Sequence, residues 1–201
     1  DEVLGCMSSF ACNYNPLAIC DDGSCLKDTT ICLGESVSFN ASYQPAVGGS
    51  PNYCLSSPQI TSFSNIELVR LVGDNDSISN NTQGICDGYV DYTVQSASVT
   101  TGQTYNLDIN LGSCNTSFAL TDVAKIFVDW NIDGDFNDYA EEVYLIGPSQ
   151  SPSTNSFSFT VPAFAIEGNT RMRVVSQSYL YNNGSTTFSA CDTLAIVGAT
   201  E

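Results

Sequence analysis

The stretch VAKIFVDWNIDGDFNDYAEEVYLIG, residues 123–147, sets an acidic loop between two apolar segments. The flanking segments VAKIFVDW (123–130) and VYLIG (143–147) are rich in β-branched and aromatic residues, which is typical of strands. Alternate residues of a strand share one face, and in the first segment Ala124, Ile126, Val128 and Trp130 alternate with the rest. The sequence therefore predicts two β-strands joined by an acidic loop, with these four residues facing a core.

The acidic loop carries oxygen donors at alternate positions. Residues 129–134 match the pattern D-x-N-x-D-G, with which calcium loops of the EF-hand kind begin. Ca²⁺ takes about 6–8 oxygen ligands in flexible geometry, and Gly134 permits a sharp turn through a positive φ. The twelfth position is Ala140, so a later acidic residue must close the site. We predict a Ca²⁺ site with ligands drawn from Asp129, Asn131, Asp133, Asp135, Asn137, Asp138, Glu141 and Glu142.

An acidic surface turn is the alternative for this loop, because Asp, Asn and Gly are also ordinary turn residues. Against it, six carboxylates lie between Asp129 and Glu142 with no Lys or Arg among them. Without a cation these carboxylates would repel one another and the loop would tend to open.

The composition of the chain excludes several classes of function. The 201 residues include 22 acidic and five basic ones, a formal charge of −17, so no basic patch for nucleic acid can form. Histidine is absent, which removes catalysis by Ser-His-Asp or Cys-His sites and histidine zinc sites. No apolar run approaches the roughly 20 residues of a membrane span, so we expect no membrane insertion. Nine cysteines without a zinc-type pair predict disulfides and an extracellular or cell-surface location.

The first predicted unit, residues 1–27, is a small cysteine-rich module. Cys6, Cys12, Cys20 and Cys25 fall within GCMSSFACNYNPLAICDDGSC, residues 5–25, which is too short to bury a core and must be held by disulfides. Four cysteines allow three pairings, and spacing alone does not choose between them. A second cluster of oxygens indicates either turns or a weak calcium site, and consists of Asn13, Asn15, Asp21 and Asp22.

This segment closely resembles a short repeat of the form GCTDxxACNYNxxAxxDDGSC, found in large secreted proteins of marine bacteria. Many members of the repeat keep only the outermost cysteines. The resemblance therefore implies a nested arrangement in which Cys6 pairs with Cys25 and Cys12 with Cys20.

Residues 28–52 are predicted to be a connector with one or two strands, followed by the Pro/Gly/Ser linker QPAVGGSPN (44–52). From Tyr53 to Glu201 the pattern is all-β, with turn signals between short strands, which predicts a β-sandwich of about seven to nine strands. The predicted strands are Ile60–Val72, Tyr89–Val94, Thr104–Ile109, Val123–Trp130, Val143–Ile146, Ser156–Val161 and Arg171–Tyr179.

Several motifs in this region occur in a family's order: Tyr53-Cys54, GYVDYT (88–93), TGQTYNLDI (101–109), VDWNIDGDFND (128–138), TRMRV (170–174) and the final GATE (198–201). Together they resemble the GEVED domain, a β-domain of secreted and cell-surface bacterial proteins. The resemblance implies a metal-binding role for the acidic residues between strands. The chain departs from the family at its end, where GATE replaces GEVE.

The cysteines outside the first module predict two disulfides in the β-domain. Cys54, Cys86, Cys114 and Cys191 supply both bonds, in a pairing left open, and Cys32 is the residue left over.

These patterns favour a non-catalytic, calcium-binding structural module of a large extracellular adhesin or filament. Its partners would then be neighbouring copies or domains of the same protein. The missing initiator Met and the terminus at Glu201 fit one repeat of a longer chain as well as an arbitrary boundary.

A calcium-dependent carbohydrate-binding module is the alternative, with surface glycans stacking on Trp130, Tyr139 or Tyr181; the strand position of Trp130 favours the core. An enzyme would need a pair of carboxylates of the glycosidase kind, and the clustered carboxylates are better explained as ligands.

Overall fold

The computed structural model describes residues 3–7, 14–24, 53–82, 84–114, 120–191 and 197–200. The chain divides into two compact units, Asp1–Gly48 and Gly49–Glu201. All regular elements of the described residues are strands. These residues contain no helix with the length and apolar character needed to traverse a lipid bilayer.

The N-terminal unit contains two very short strands, β1 (Leu4–Gly5) and β2 (Cys20–Asp21), which pair in parallel. Cys6 is buried and disulfide-bonded. The thiol of Cys20, in contrast, is free and exposed, so the expectation that Cys20 is paired is wrong. The reason is that β2 presents this side chain to solvent. Cys12, Cys25 and Cys32 lie outside the described residues, as does the strand expected between residues 29 and 41.

Two of the four oxygen-bearing residues singled out in this unit close turns. Asn15 Oδ1 accepts the Leu17 N–H at 3.1 Å, and Asp22 Oδ1 accepts the Ser24 N–H at 2.9 Å. Hydrogen bonds from Ser24, first from its hydroxyl and then from its backbone, lower the pKa of Asp22. Both side chains thus have the local turn role. Asn13 and the side chain of Asp21 are outside the description.

The second unit is a sandwich of two four-stranded antiparallel sheets, in agreement with the predicted fold class. The first sheet has the order β4-β3-β5-β8 and the second the order β10-β9-β6-β7. The strands are β3 (Ser64–Val72), β4 (Ser77–Asn81), β5 (Thr104–Ser113), β6 (Thr121–Val128), β7 (Glu142–Gln150), β8 (Ser153–Thr160), β9 (Met172–Ser178) and β10 (Gly198–Thr200).

Six of the seven predicted strands correspond to observed ones, with boundaries that shift by a few residues. The exception is Tyr89–Val94, where Tyr89 makes an isolated bridge to Thr200 and no strand follows. Asp91 Oδ1 accepts the Thr93 N–H at 2.8 Å, which turns the chain away from an extended path. Two strands of the sandwich were not predicted: β4, because its sequence SISNN is polar, and β10, which has only three residues.

The main core lies between the two sheets and consists of the inward residues of their strands. On β5 the alternation is strict: Tyr105, Leu107, Ile109 and Leu111 are all buried. On β6 the predicted face, Ala124, Ile126 and Val128, joins the same core.

The outer face of β6 and β9 is also buried. Val123, Phe127 and Val175 pack there against Phe136, Phe188 and Ala190, which come from loops. Arg173, 4 % exposed, lies over the ring of Phe136 at 5.0 Å and donates to the Ala190 carbonyl at 2.8 Å. Both faces of β6 are therefore covered, up to the point where the following loop begins.

Two disulfides close the β-unit, as predicted, and the structure supplies their pairing. Cys54 bonds to Cys191, with Cα atoms 5.4 Å apart, and Cys86 bonds to Cys114, with Cα atoms 5.9 Å apart. Both separations fall in the usual range for disulfides. The bond between Cys54 and Cys191 ties the start of the unit to the cluster on the outer face of β6 and β9, against which Cys191 packs.

Candidate metal centre

The acidic loop, residues 129–141, connects β6 to β7 as the strand prediction requires, and Glu142 is the first residue of β7. Gly134 has a φ of 96°, which confirms the turn expected from the glycine. Ile132 and Ala140 also have positive φ values, 58° and 67°, although neither type of side chain favours that region. Such backbone conformations persist where the surrounding contacts determine them, and functional loops are a common place for them.

Asp129 is the internal anchor of the acidic loop. Its carboxylate is fully buried and accepts backbone N–H groups from Ile132 at 2.7 Å and Gly134 at 3.0 Å. The hydroxyl of Tyr53 donates to the same carboxylate at 2.8 Å. Both carboxylate oxygens therefore accept hydrogen bonds that hold the loop in its turn.

Glu141 closes the loop from its other end. Its side chain is 1 % exposed and accepts the Trp130 N–H at 3.0 Å and the Asp138 N–H at 3.1 Å. Burial raises the pKa of this carboxyl, and the hydrogen bonds from those two N–H groups oppose the shift. The indole N–H of Trp130 donates to the Ala140 carbonyl at 3.1 Å. Trp130, near the start of the loop, is thus bonded to both Ala140 and Glu141 at its end.

Three further carboxylates converge on the solvent side of the loop. Asp133, Asp135 and Asp138 place carboxylate oxygens within 4.8 Å of one another. The amide of Asn131 donates to Asp133 Oδ2 at 3.0 Å and to Asp138 Oδ2 at 2.8 Å. We call these four residues the acidic cluster. Oxygens bound to one Ca²⁺ at about 2.4 Å lie at most about 4.8 Å apart, so the carboxylates meet this geometric limit.

The remaining predicted ligands take other positions. Glu142, the first residue of β7, forms an ion pair with Lys125 at 2.7 Å, so its carboxylate has a partner on the neighbouring strand. Asn137 is exposed, and its backbone N–H donates to Asp135 Oδ1 at 2.8 Å. The structure therefore separates the eight predicted residues into an exposed cluster, two buried anchors and two that contribute little to a common centre.

Tyr53 contacts the acidic loop from a distant part of the chain, and sequence reasoning assigned no such contact to it. Its ring stacks on Phe136 with centroids 5.1 Å apart, and the Arg171 guanidinium lies over the ring of Tyr53 at 4.8 Å from its centroid. Burial and the hydrogen bond to Asp129 raise the pKa of the Tyr53 phenol, so it remains a donor. No local pattern connects Tyr53 to a loop 76 residues away.

A second loop, residues 161–171, lies beside the acidic loop. The Ile166 N–H donates to the Trp130 carbonyl at 2.8 Å, and the Asp129 N–H donates to the Arg171 carbonyl at 3.1 Å. Trp130 is 4 % exposed, which confirms its predicted place in the core and removes it as a stacking surface.

Fold and site together define a disulfide-bonded β-sandwich module with an acid-rich loop between adjacent strands. The family model of the GEVED domain matches residues 123–201, from β6 to the end of the chain. The matched region includes the acidic loop, whereas the motifs between Tyr53 and Ile109 lie outside it. No curated protein and no solved structure gave a match.

Proposed function

We propose that this chain is a non-catalytic, calcium-binding structural module of a larger extracellular protein, an adhesin or a filament. The observation that carries the proposal is the convergence of Asp133, Asp135 and Asp138 in a loop whose ends are fixed by buried carboxylates. The charged oxygens of these three carboxylates suit a hard cation such as Ca²⁺.

The charge on the cluster supports a cation there. Three carboxylates within 4.8 Å repel one another, and the described contacts offer them the neutral amide of Asn131 as a bridging donor. Asn131 is one of the oxygen-bearing residues of the D-x-N-x-D-G pattern, and rotation of its amide would present an oxygen to the same point. Asp133, Asp135, Asp138 and Asn131 are therefore the residues that would hold the ion, with water completing the shell.

The role that follows is mechanical. The acidic loop is hydrogen-bonded through Asp129 to Tyr53, and through Trp130 to the 161–171 loop. An ion that fixes the exposed half of the acidic loop would stiffen the junction of β6, β7 and β9. Extracellular calcium sites of moderate affinity, with Kd of about 10⁻⁴–10⁻³ M, suit such a role.

The cysteine chemistry supports an extracellular location for the module. Two disulfides lie within the β-unit, and such bonds persist in oxidising compartments. A formal charge of −17 fits an ion-rich exterior, where salt screens self-repulsion. Repetition of the module along a larger protein is the arrangement in which local stiffening by calcium would add up.

Thermal unfolding with and without calcium tests the proposal. We expect 5 mM CaCl₂ to raise the Tm of the full chain and a chelator to lower it, since an ion held by the folded state alone stabilises that state by mass action. Asp133→Ala should remove the calcium-dependent shift. The matched control Asp87→Asn changes an exposed carboxylate outside the loop and should retain the shift.

A melting curve that is the same in calcium and in chelator would contradict the proposal. Retention of the full shift in Asp133→Ala would contradict the assignment of the ligands.

A further inference from the structure

Two exposed aromatic rings meet beside the acidic cluster. Tyr139, 86 % exposed, belongs to the acidic loop, and Phe164, 53 % exposed, belongs to the 161–171 loop. Their ring centroids are 6.2 Å apart, with planes inclined by 43°. We call this pair the aromatic platform. Aromatic side chains contribute large areas to binding surfaces, so this pair is a candidate contact surface for a ligand.

Trp130 holds both halves of the aromatic platform in place. Its indole N–H binds the carbonyl of Ala140, the residue after Tyr139, and its carbonyl accepts the N–H of Ile166, two residues after Phe164. The Trp130 side chain itself packs against Phe159 in the core, with ring centroids 6.2 Å apart. The backbone segments that carry the two exposed rings are thus both tied to one buried residue.

We propose that the aromatic platform binds a neutral saccharide. One face of a pyranose ring carries several C–H groups, whose slight positive charge is attracted by the negative face of an aromatic ring. Two rings inclined to each other offer a shallow seat for one or two sugar units. The phenol of Tyr139 and the neighbouring carboxylate of Asp138 supply hydrogen-bonding groups for sugar hydroxyls at the rim.

Charge disfavours the anionic and the cationic partners that an exposed aromatic patch could accept. A net charge of −17 disfavours polyanions, which include nucleic acids and anionic membranes. A cationic peptide is disfavoured where the adjacent carboxylates are occupied by calcium, and in that respect alone the inference rests on the proposed function. A neutral polyhydroxylated ligand is compatible with the platform in either state of the cluster.

The sequence had suggested Trp130 and Tyr181 as further stacking residues. Trp130 is buried, and Tyr181 is stacked on Phe63 with ring centroids 6.4 Å apart. Tyr181 therefore provides a matched control, since it is an aromatic residue, 44 % exposed, outside the aromatic platform.

Affinity gel electrophoresis of the full chain tests the inference. Native gels contain one of four neutral polysaccharides (mannan, dextran, laminarin or hydroxyethylcellulose), each run with 2 mM CaCl₂ and with a chelator. We expect at least one polysaccharide to retard the protein. Tyr139→Ala and Phe164→Ala should each weaken that binding by about tenfold or more, whereas Tyr181→Ala should leave it unchanged.

Several outcomes would overturn the inference: no retardation in any gel, equal retardation of the platform variants and the parent, or retardation by poly-L-lysine instead of polysaccharide. Dimerisation in sedimentation experiments that Tyr139→Ala abolishes would overturn it too, because the platform would then join two copies. Saccharide binding without any calcium-dependent Tm shift would uphold the platform and refute the calcium proposal. A calcium-dependent Tm shift without saccharide binding would support the calcium proposal and refute saccharide binding by the platform.

Discussion

The phenol of Tyr53 donates a 2.8 Å hydrogen bond to Oδ2 of Asp129, 76 residues further along the chain. This contact joins the first described residue of the β-unit to the first residue of the acidic loop. Cys54, the next residue after Tyr53, is bonded to Cys191. The disulfide therefore fixes the backbone at the position from which Tyr53 reaches the loop.

Removal of the Tyr53 hydroxyl tests how much this contact stabilises the β-unit. Tyr53→Phe keeps the ring on Phe136 but leaves a buried carboxylate oxygen with one donor fewer. We expect a loss of about 1.5 kcal/mol in the free energy of unfolding, since the bond has a charged acceptor. Urea denaturation followed by the fluorescence of Trp130, the single tryptophan, measures it. Tyr181→Phe is the control, and equal stability of both variants would show that the Tyr53 contact contributes nothing.

The two disulfides are expected to differ in how much they stabilise the β-unit against unfolding. The bond between Cys54 and Cys191 spans 137 residues, and the bond between Cys86 and Cys114 spans 28. On the chain-entropy estimate the first stabilises by about 5 kcal/mol and the second by about 3.5 kcal/mol. Double replacement by Ala of each pair, followed by urea denaturation, compares them. A larger loss from the shorter loop would mean that native-state contacts outweigh chain entropy here.

Cys20 is expected to react in the native protein because its thiol is free and exposed. Treatment with iodoacetamide without reductant, then peptide mass spectrometry, should find the label on Cys20. The label should be absent from the four cysteines that form the disulfides of the β-unit. Cys20→Ser provides the control, since it should lose that labelled peptide. If Cys20 stayed unlabelled without reductant and became labelled only after reduction, the thiol would be oxidised in the native protein.

Local patterns predicted the sandwich, and the reason is visible in β5 and β6. Alternation from Tyr105 to Leu111 and from Ala124 to Val128 places one face of each strand in the core. The polar strand β4 escaped prediction because pairing with β3, and not its own composition, makes it extended. The burial of the outer face of β6 could not be predicted either. Val123 and Phe127 on that face are covered by Phe136 and Phe188, which come from separate loops.

The acidic loop likewise has some features that local sequence predicts and others that only the fold determines. Gly134 and the alternating carboxylates follow from local spacing, so the position of the loop and the convergence of three aspartates could be predicted. The inward turn of Asp129 and Glu141 could not, because it depends on hydrogen bonds to backbone groups whose directions are set by the folded loop. Glu142 was included among the ligands because it is acidic, but β7 directs it to Lys125.

A third carboxylate is buried away from the loop, at the edge where β6 begins. Asp122 is fully buried and accepts the hydroxyl of Ser64 at 3.0 Å and that of Ser151. Burial raises the pKa of Asp122, and the bonds from Ser151 and Ser64 oppose the shift only in part. The folded state therefore binds a proton at Asp122 more tightly than the unfolded state does.

This shift predicts a pH dependence of stability with a definite sign. The stabilisation that Asp122 gives the folded state through its raised pKa is fully present below the unfolded pKa of about 3.9. It is lost as the pH rises through the higher pKa of the folded state. Asp122→Asn is uncharged at every pH and keeps an acceptor for one serine. We therefore expect the stability of the parent, relative to this variant, to fall as the pH increases from about 4 toward neutral.

Urea denaturation of both proteins between pH 4 and pH 8 measures the difference. Ser151→Ala serves as a companion variant: it removes a donor to the charged form, so its loss of stability should be greater at pH 7 than at pH 4. Parallel stability curves for the parent and Asp122→Asn across this range would show that the buried carboxyl does not change its protonation with folding.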